Sequence, residues 1–509
     1  MKKIILFFLL ALSFTACSNS AVIYYLDATK GNDSQKGTSP KTAWKSLDKL
    51  KSIQLNPGDK VLFKRGEIFH GELNILAQGT PDKRVEIGAY SNEQQKPCIV
   101  GNDTSMYAVR IINSDYLTLQ DIEIVNTGKA PMPYRTGLRI ECTNYGISHN
   151  IIVRNLTIRD VNGSLVKEKG GGSGIYIVNG GNDKISVFNR LTIENCHILR
   201  CSRNAMIWDA YSDRSNWHPS KHTLIRGNLI EEVPGDGIVP IGCDSTLIEY
   251  NVMRNSPSLL PDTEAAAGIW PWSCDNTVIQ FNEVSDHKAP WDAQGFDSDW
   301  NCIGTIIQYN YSHDNDGGMV LICNDGGASK TFSAGNEGTI VRYNVSINDG
   351  RRTRSTRVGM FSPNIHLAGP VKNSKIVHNI IHVNEKQEKN VDRTMVTLDS
   401  WGGYPDSTFI EGNIFFTAET SRFQFTKSTN NYIEGNYYLG DFNEFPADQK
   451  AYRSSSNYMK EVLDKDRNGY KGLASLMDSV QIAAEVKGAF VNKNLIESFF
   501  LRIKENVSK

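Results

Sequence analysis

Residues 286–318 read DHKAPWDAQGFDSDWNCIGTIIQYNYSHDNDGG, a stretch dense in titratable side chains, glycine and tryptophan. Within it, Asp297 and Asp299 alternate with Phe296 and Ser298. Such alternation predicts a strand, in which residues i and i+2 leave one face about 6.6 Å apart. Two carboxyls on one face suit glycoside hydrolysis: one protonates the leaving oxygen while the other activates water or attacks the anomeric carbon. A spacing of about 6.6 Å leans towards inversion. His287, Lys288, Trp291, Asp292, His313, Asp314 and Asp316 crowd the flanking loops.

The same stretch also fits elimination. Cleaving a uronate by β-elimination needs a base for the proton beside the carboxylate and a cation to neutralise that carboxylate. Lys288, His287 and His313 are candidate bases, since burial lowers a lysine pKa. Asp297, Asp299 and Asp316 offer oxygen ligands for calcium. Arg351, Arg352, Arg354 and Arg357 fall together in NDGRRTRSTRVG, and guanidinium forks match carboxylate or sulfate. Trp270, Trp272 and Trp291 supply apolar faces for the CH faces of sugars. The arginines, lysine and histidines favour a lyase acting on a uronate-containing, glycosaminoglycan- or pectin-like polysaccharide. A glycoside hydrolase using Asp297 and Asp299 is the second reading, and a non-catalytic glycan-binding protein the third.

The elements that must hold these groups follow a repeat. TLIRGN, TLIEYN, TVIQFN, TIIQYN, TIVRYN, KIVHN, TFIEGN and NYIEGN end at Asn228, Asn251, Asn282, Asn310, Asn344, Asn379, Asn413 and Asn436, with weaker copies at Asn155 and Asn195. A fixed minimum spacing with variable excess marks a solenoid whose coils carry loop insertions. Ile225, Ile248, Ile279, Ile307 and Val341 share the inward parity, and Arg226, Glu249, Gln280, Gln308 and Arg342 the outward one. Asparagine tolerates left-handed bends and can ladder its amide from coil to coil. The pattern predicts an all-β chain.

These repeats resemble the right-handed parallel β-helix superfamily typified by pectin lyases. The resemblance, over roughly residues 100–440, implies three strands per coil with the Asn ladder between the second and third. It makes GIVPIG, GIWPWS, GFDSDW and GMVLIC successive first strands from Gly237, Gly268, Gly295 and Gly318. Trp270 and Trp272 then neighbour Asp297 and Asp299 on the outer face where the superfamily binds substrate. Arg139, Tyr176 and Asp209 extend that face on earlier coils.

Around the predicted catalytic solenoid (101–440) lie an N-terminal cap and first coil (21–100), with a helix near Ala43 to Leu50, and a helical C-terminal cap (441–509). Lys2 and Lys3, an apolar run and the small residues before Cys17 have the layout of a secretory signal (1–16). The cleavage region resembles a lipobox, which implies lipidation of Cys17 and an exported bacterial lipoprotein of the outer membrane, anchored by acyl chains and monomeric. Net charge is −1, so nothing points to nucleic acid as a partner. The remaining cysteines form no CxxC pair and are expected to be buried thiols rather than zinc ligands.

Overall fold

The computed structural model describes residues 20–454 apart from residues 52, 328–334, 353, 357–358 and 384–388. Cys17 and its signal, Arg357 and the helix-like stretches beyond residue 454 lie outside the described residues.

The chain is a parallel β-helix. Two 14-stranded parallel sheets run its length and carry the second and third strands of each coil. The first strands form two six-stranded sheets placed end to end. They meet at the GIWPWS coil, where Ile269 bridges both Ile238 and Phe296. Pro240 and Pro271 lack the N–H that a regular ladder needs, which breaks the sheet there. A short fourth strand, such as Ile147–His149, turns each first strand towards the second.

The predicted parity holds. Ile225, Ile248, Ile279, Ile307 and Val341 are fully buried in one continuous core. The asparagines ladder as expected: each of Asn228, Asn251, Asn282, Asn310, Asn344, Asn379 and Asn413 donates its backbone N–H and Nδ2 to Oδ1 of the next, at 2.8–3.0 Å. Asp448 receives the last pair from Asn436. The left-handed residue, however, is the one before each of these asparagines, for example Tyr250 (φ 57°), Phe281 (φ 56°) and Tyr309 (φ 56°). An asparagine in the extended part of the bend can aim its amide along the solenoid axis, so the preceding residue takes the unfavourable conformation.

No α-helix occurs among the described residues. The N-terminal cap holds two short 3₁₀ turns, Pro40–Thr42 and Leu47–Leu50, in place of the expected helix. Residues 441–454 contribute the strands Phe442–Asn443 and Tyr452–Ser454. Cys98, Cys142, Cys196, Cys201, Cys243, Cys274, Cys302 and Cys323 are buried free thiols.

Candidate active site

The strand Phe296–Ser298 positions the site. Phe296 sits in the core, and inward-facing Ser298 shares a hydrogen bond with Thr339 Oγ1 at 2.9 Å. Asp297 and Asp299 therefore face outward. Gly295 must be glycine: a Cβ there would lie 2.3 Å from Ser312 Oγ. In the preceding coil Ile269 pairs with Phe296, which places Trp270 beside Asp297 and Trp272 beside Asp299. On the other side Phe296 pairs with Val320, one residue beyond the partner that aligning Gly295 with Gly318 predicts. The successive glycines Gly317 and Gly318 absorb the extra residue.

This register builds two outward rows. Asp297 is followed by Leu321, His366 and Thr397, while Cys323, beside Asp299, is followed by Ala368 and Asp399. His366 Nε2 meets Asp399 Oδ1 at 3.0 Å, and its ring stands edge-on to Phe361 and Trp401. Loops close the space above into a cleft of about 230 Å³, whose lining includes Trp291, Asp292, Gln294, Arg352, His366 and Trp401.

Three carboxyls are raised here, and Asp299 raises the other two. Burial, then Asp299, Asp292 and Asp236, holds Asp297 well above the ordinary carboxylate range, and its Oδ1 has no hydrogen-bond partner. Burial and then Asp299 push Asp292 up to about 6. Burial also raises Asp299, against hydrogen bonds from the Cys323 thiol at 3.1 Å and the Trp300 N–H at 2.6 Å that favour its ionised form. Beneath them Asp236 accepts from Trp270 Nε1 at 3.0 Å and pairs with the buried Arg203 at 2.6 Å, fixing the indole. Gln294 is buried with its Oε1 unpartnered.

Ligand atoms of Asp297, Asp299 and Cys323 lie within 4.8 Å of one another. One oxygen of each carboxyl thus comes closer to the other than the Cα spacing of about 6.6 Å that leaned towards inversion. The trio does not fit calcium, which takes six to eight oxygens: a thiol stands in it, and Asp316 lies elsewhere, paired with Lys288 at 3.3 Å.

The expected bases are engaged away from the carboxyls. His287 is buried, donating Nε2 to Gly235 O at 2.8 Å, and burial lowers its pKa. Lys288 donates to Asp314 O at 3.0 Å. His313 sits on the third strand between Glu283 (3.3 Å) and Asp314 (3.0 Å). Burial opposes its charged form, but these partners prevail and hold the pKa at about 9. A cationic imidazole cannot take a proton at neutral pH.

The arginines are likewise committed to the protein. Arg351 pairs with Asp314 at 3.6 Å, and Arg354 donates to Leu260 O at 3.0 Å and pairs with Asp262 at 3.5 Å. Arg352 is buried, its guanidinium spanning the carbonyls of Ala289, Asp292 and Phe361. It braces the cleft floor. Trp291 lines the cleft and donates Nε1 to Asp262 O at 2.8 Å.

Sequence reasoning placed Asp292 among the flanking loop residues without a role, and it missed Gln294, His366, Asp399 and Trp401. Asp292 stands in the same motif as Asp297. The others are brought in by coil-to-coil register from distant sequence.

No family model matches the chain. It is 26% identical to the lacto-N-biosidase of Bifidobacterium longum subsp. longum over 80% of its own length, and spans only 29% of that relative. A crystal structure of the GH136 lacto-N-biosidase from Eubacterium ramulus superposes with a TM-score of 0.57 at 23% identity, covering 81% of this chain and 68% of that one. Its selenomethionine derivative gives the same TM-score and identity. These relatives are glycoside hydrolases. The expectation of a uronate lyase is therefore corrected: the similarity lies with hydrolases, and the groups expected to serve elimination are tied up in the protein.

Proposed function

We propose that this chain is a glycoside hydrolase acting on a neutral oligosaccharide in the cleft above Asp292, Asp297 and Asp299. The observation that carries the reading is the set of three buried, raised carboxyls, Asp292 in the lining of an aromatic-walled cleft and raised by Asp299, as Asp297 is. Carboxyls whose environments push their protonation apart divide into acid and base.

Asp292 lines the cleft and, at about 6, holds a proton to give to the leaving glycosidic oxygen. Asp299, favoured as an anion by the Cys323 and Trp300 donors, faces the positive charge that develops at the anomeric carbon. Asp297 remains protonated beside it and keeps a second negative charge from forming. Trp291 and Trp401 offer ring faces to the sugar, and Gln294 Oε1 offers an acceptor to a hydroxyl. A uronate would meet this acidic floor unfavourably.

The relatives carry the name lacto-N-biosidase, so a lacto-N-biose unit at the non-reducing end of a neutral oligosaccharide is the substrate to try first. The test is incubation of the protein and its Asp292→Asn and Asp299→Asn variants with such oligosaccharides and with uronate polymers, followed by chromatography. Release of a disaccharide from the neutral substrate, lost in both variants, supports the reading. Cleavage confined to uronate polymers overturns it.

A further inference from the structure

The outer face of the first strands does not end at the acid cleft. Beyond it, over the strands Thr394–Asp399, Ser421–Phe425 and Phe442–Asn443, lies a second hollow of about 480 Å³. Phe361 lines both spaces, so one ring walls them apart. Four strand spacings separate the Asp297 strand from the Arg422 strand, about 19 Å along the axis, the length of about four sugars. That is within reach of one oligosaccharide.

The lining is polar, and its groups are held in place. Arg422 donates Nε to Thr394 Oγ1 at 3.0 Å and pairs with Asp392 at 3.4 Å. Asp392 Oδ1 accepts from Thr394 N at 3.0 Å and Oγ1 at 2.6 Å. Arg393 pairs with Glu419 at 2.8 Å. Each arginine at this hollow is matched by a carboxylate, which removes the net charge that would draw an anionic ligand. What remains is fixed donors and acceptors, including Asn443, beside the apolar Phe361 and Met360. Hydroxyls on one side of a ring and CH groups on the other fit that surface.

We infer that this hollow is a second saccharide subsite, holding a neutral sugar of the same oligosaccharide whose scissile bond lies over Asp292 and Asp299. The inference rests on the glycosidase reading and extends it to substrate length.

The test compares Arg422→Ala and Asn443→Ala with the unaltered chain, all checked for equal melting temperature. The probes are a neutral hexasaccharide, which carries four sugars beyond its terminal disaccharide, and the p-nitrophenyl glycoside of that disaccharide. The expected result is about a tenfold fall in kcat/KM on the hexasaccharide, carried by KM, with the aryl glycoside within twofold. Equal losses on both probes, or none on either, overturn the subsite. Calorimetric binding of the hexasaccharide to the Asp299→Asn chain separates the two readings. Binding weakened by Arg422→Ala without turnover in the unaltered chain sinks the hydrolase and keeps the subsite. Turnover with binding indifferent to both substitutions sinks the subsite alone, and no binding to any form overturns it as well.

Discussion

Cys323 donates its thiol to Asp299 Oδ1 at 3.1 Å across adjacent first strands. Burial and the neighbouring carboxyls keep this thiol protonated, with Asp299 the first of them, so it acts as a donor only. It steadies the anionic form of the carboxylate assigned to the anomeric carbon.

Removing that donor should raise the Asp299 pKa, because the charged form loses its hydrogen bond. For Cys323→Ala the acid limb of kcat/KM is expected to move to higher pH, with a several-fold loss on that limb and a plateau within twofold. Cys323→Ser, which keeps a donor, should restore the profile. A pH–rate series on the three proteins checks this.

Asp292 is given the role of acid, and its pKa of about 6 sets the alkaline limb: activity should decline as pH rises through that value. Asp292→Asn should cost about 10³-fold in kcat on a natural sugar leaving group. An aryl leaving group needs less protonation and should suffer far less. Parallel kinetics on the two substrates read the difference.

Stability should depend on pH with a defined sign. Asp292 and Asp349, each pushed up to about 6 mainly by burial, bind protons in the folded chain that the unfolded chain has released. Their contribution is present below the ordinary carboxylate pKa and is lost as pH rises through about 6. His313, held at about 9, loses its contribution as pH climbs through that value. Asp160, Asp314 and Asp448 are lowered, and their contributions vanish as pH falls below about 4. Melting temperature should therefore peak near about pH 4, and Asp349→Asn should flatten the decline between about pH 4 and 6. Thermal scans across pH 3 to 10 provide the check.

The ladder predicts a local weak point. Asn310 Nδ2 donates to Ile279 O and Asn344 Oδ1, and its Oδ1 accepts from the backbone N–H and Nδ2 of Asn282. Asn310→Ala strands these buried groups, which is expected to cost about 3 kcal/mol or more. Asn310→Asp keeps the acceptor but sets its second oxygen against Ile279 O and Asn344 Oδ1, so it should cost less only at acid pH, where the carboxyl is protonated and donates. Denaturant melts of the two variants rank them.

The solenoid was legible because each coil repeats its own instruction: an inward aliphatic, an outward polar residue, an asparagine at the bend. Asp297 and Asp299 could be placed on one outward face for the same reason, since parity is a local property. Partnership is not local. Nothing in NDGRRTRSTRVG reveals that Arg352 is spent on the carbonyls of a loop some sixty residues earlier, or that Glu283 and Asp314 lock His313 as a cation. His366 and Asp399 join the site through a register that slips by one residue at Gly317 and Gly318, which aligning glycines alone does not show. The lyase expectation failed at this level, where groups suited to elimination were counted before their partners were known.

The most direct test of the central claim is hydrolysis of a neutral lacto-N-biose-terminated oligosaccharide in H₂¹⁸O, with mass spectrometry of the released sugar. Hydrolysis places water's oxygen on the anomeric carbon, so the released disaccharide should be two mass units heavier, and Asp299→Asn should abolish the product. An untouched neutral oligosaccharide, with uronate polymers cleaved instead to products that take up no ¹⁸O and absorb near 232 nm, would mean elimination and would contradict the account.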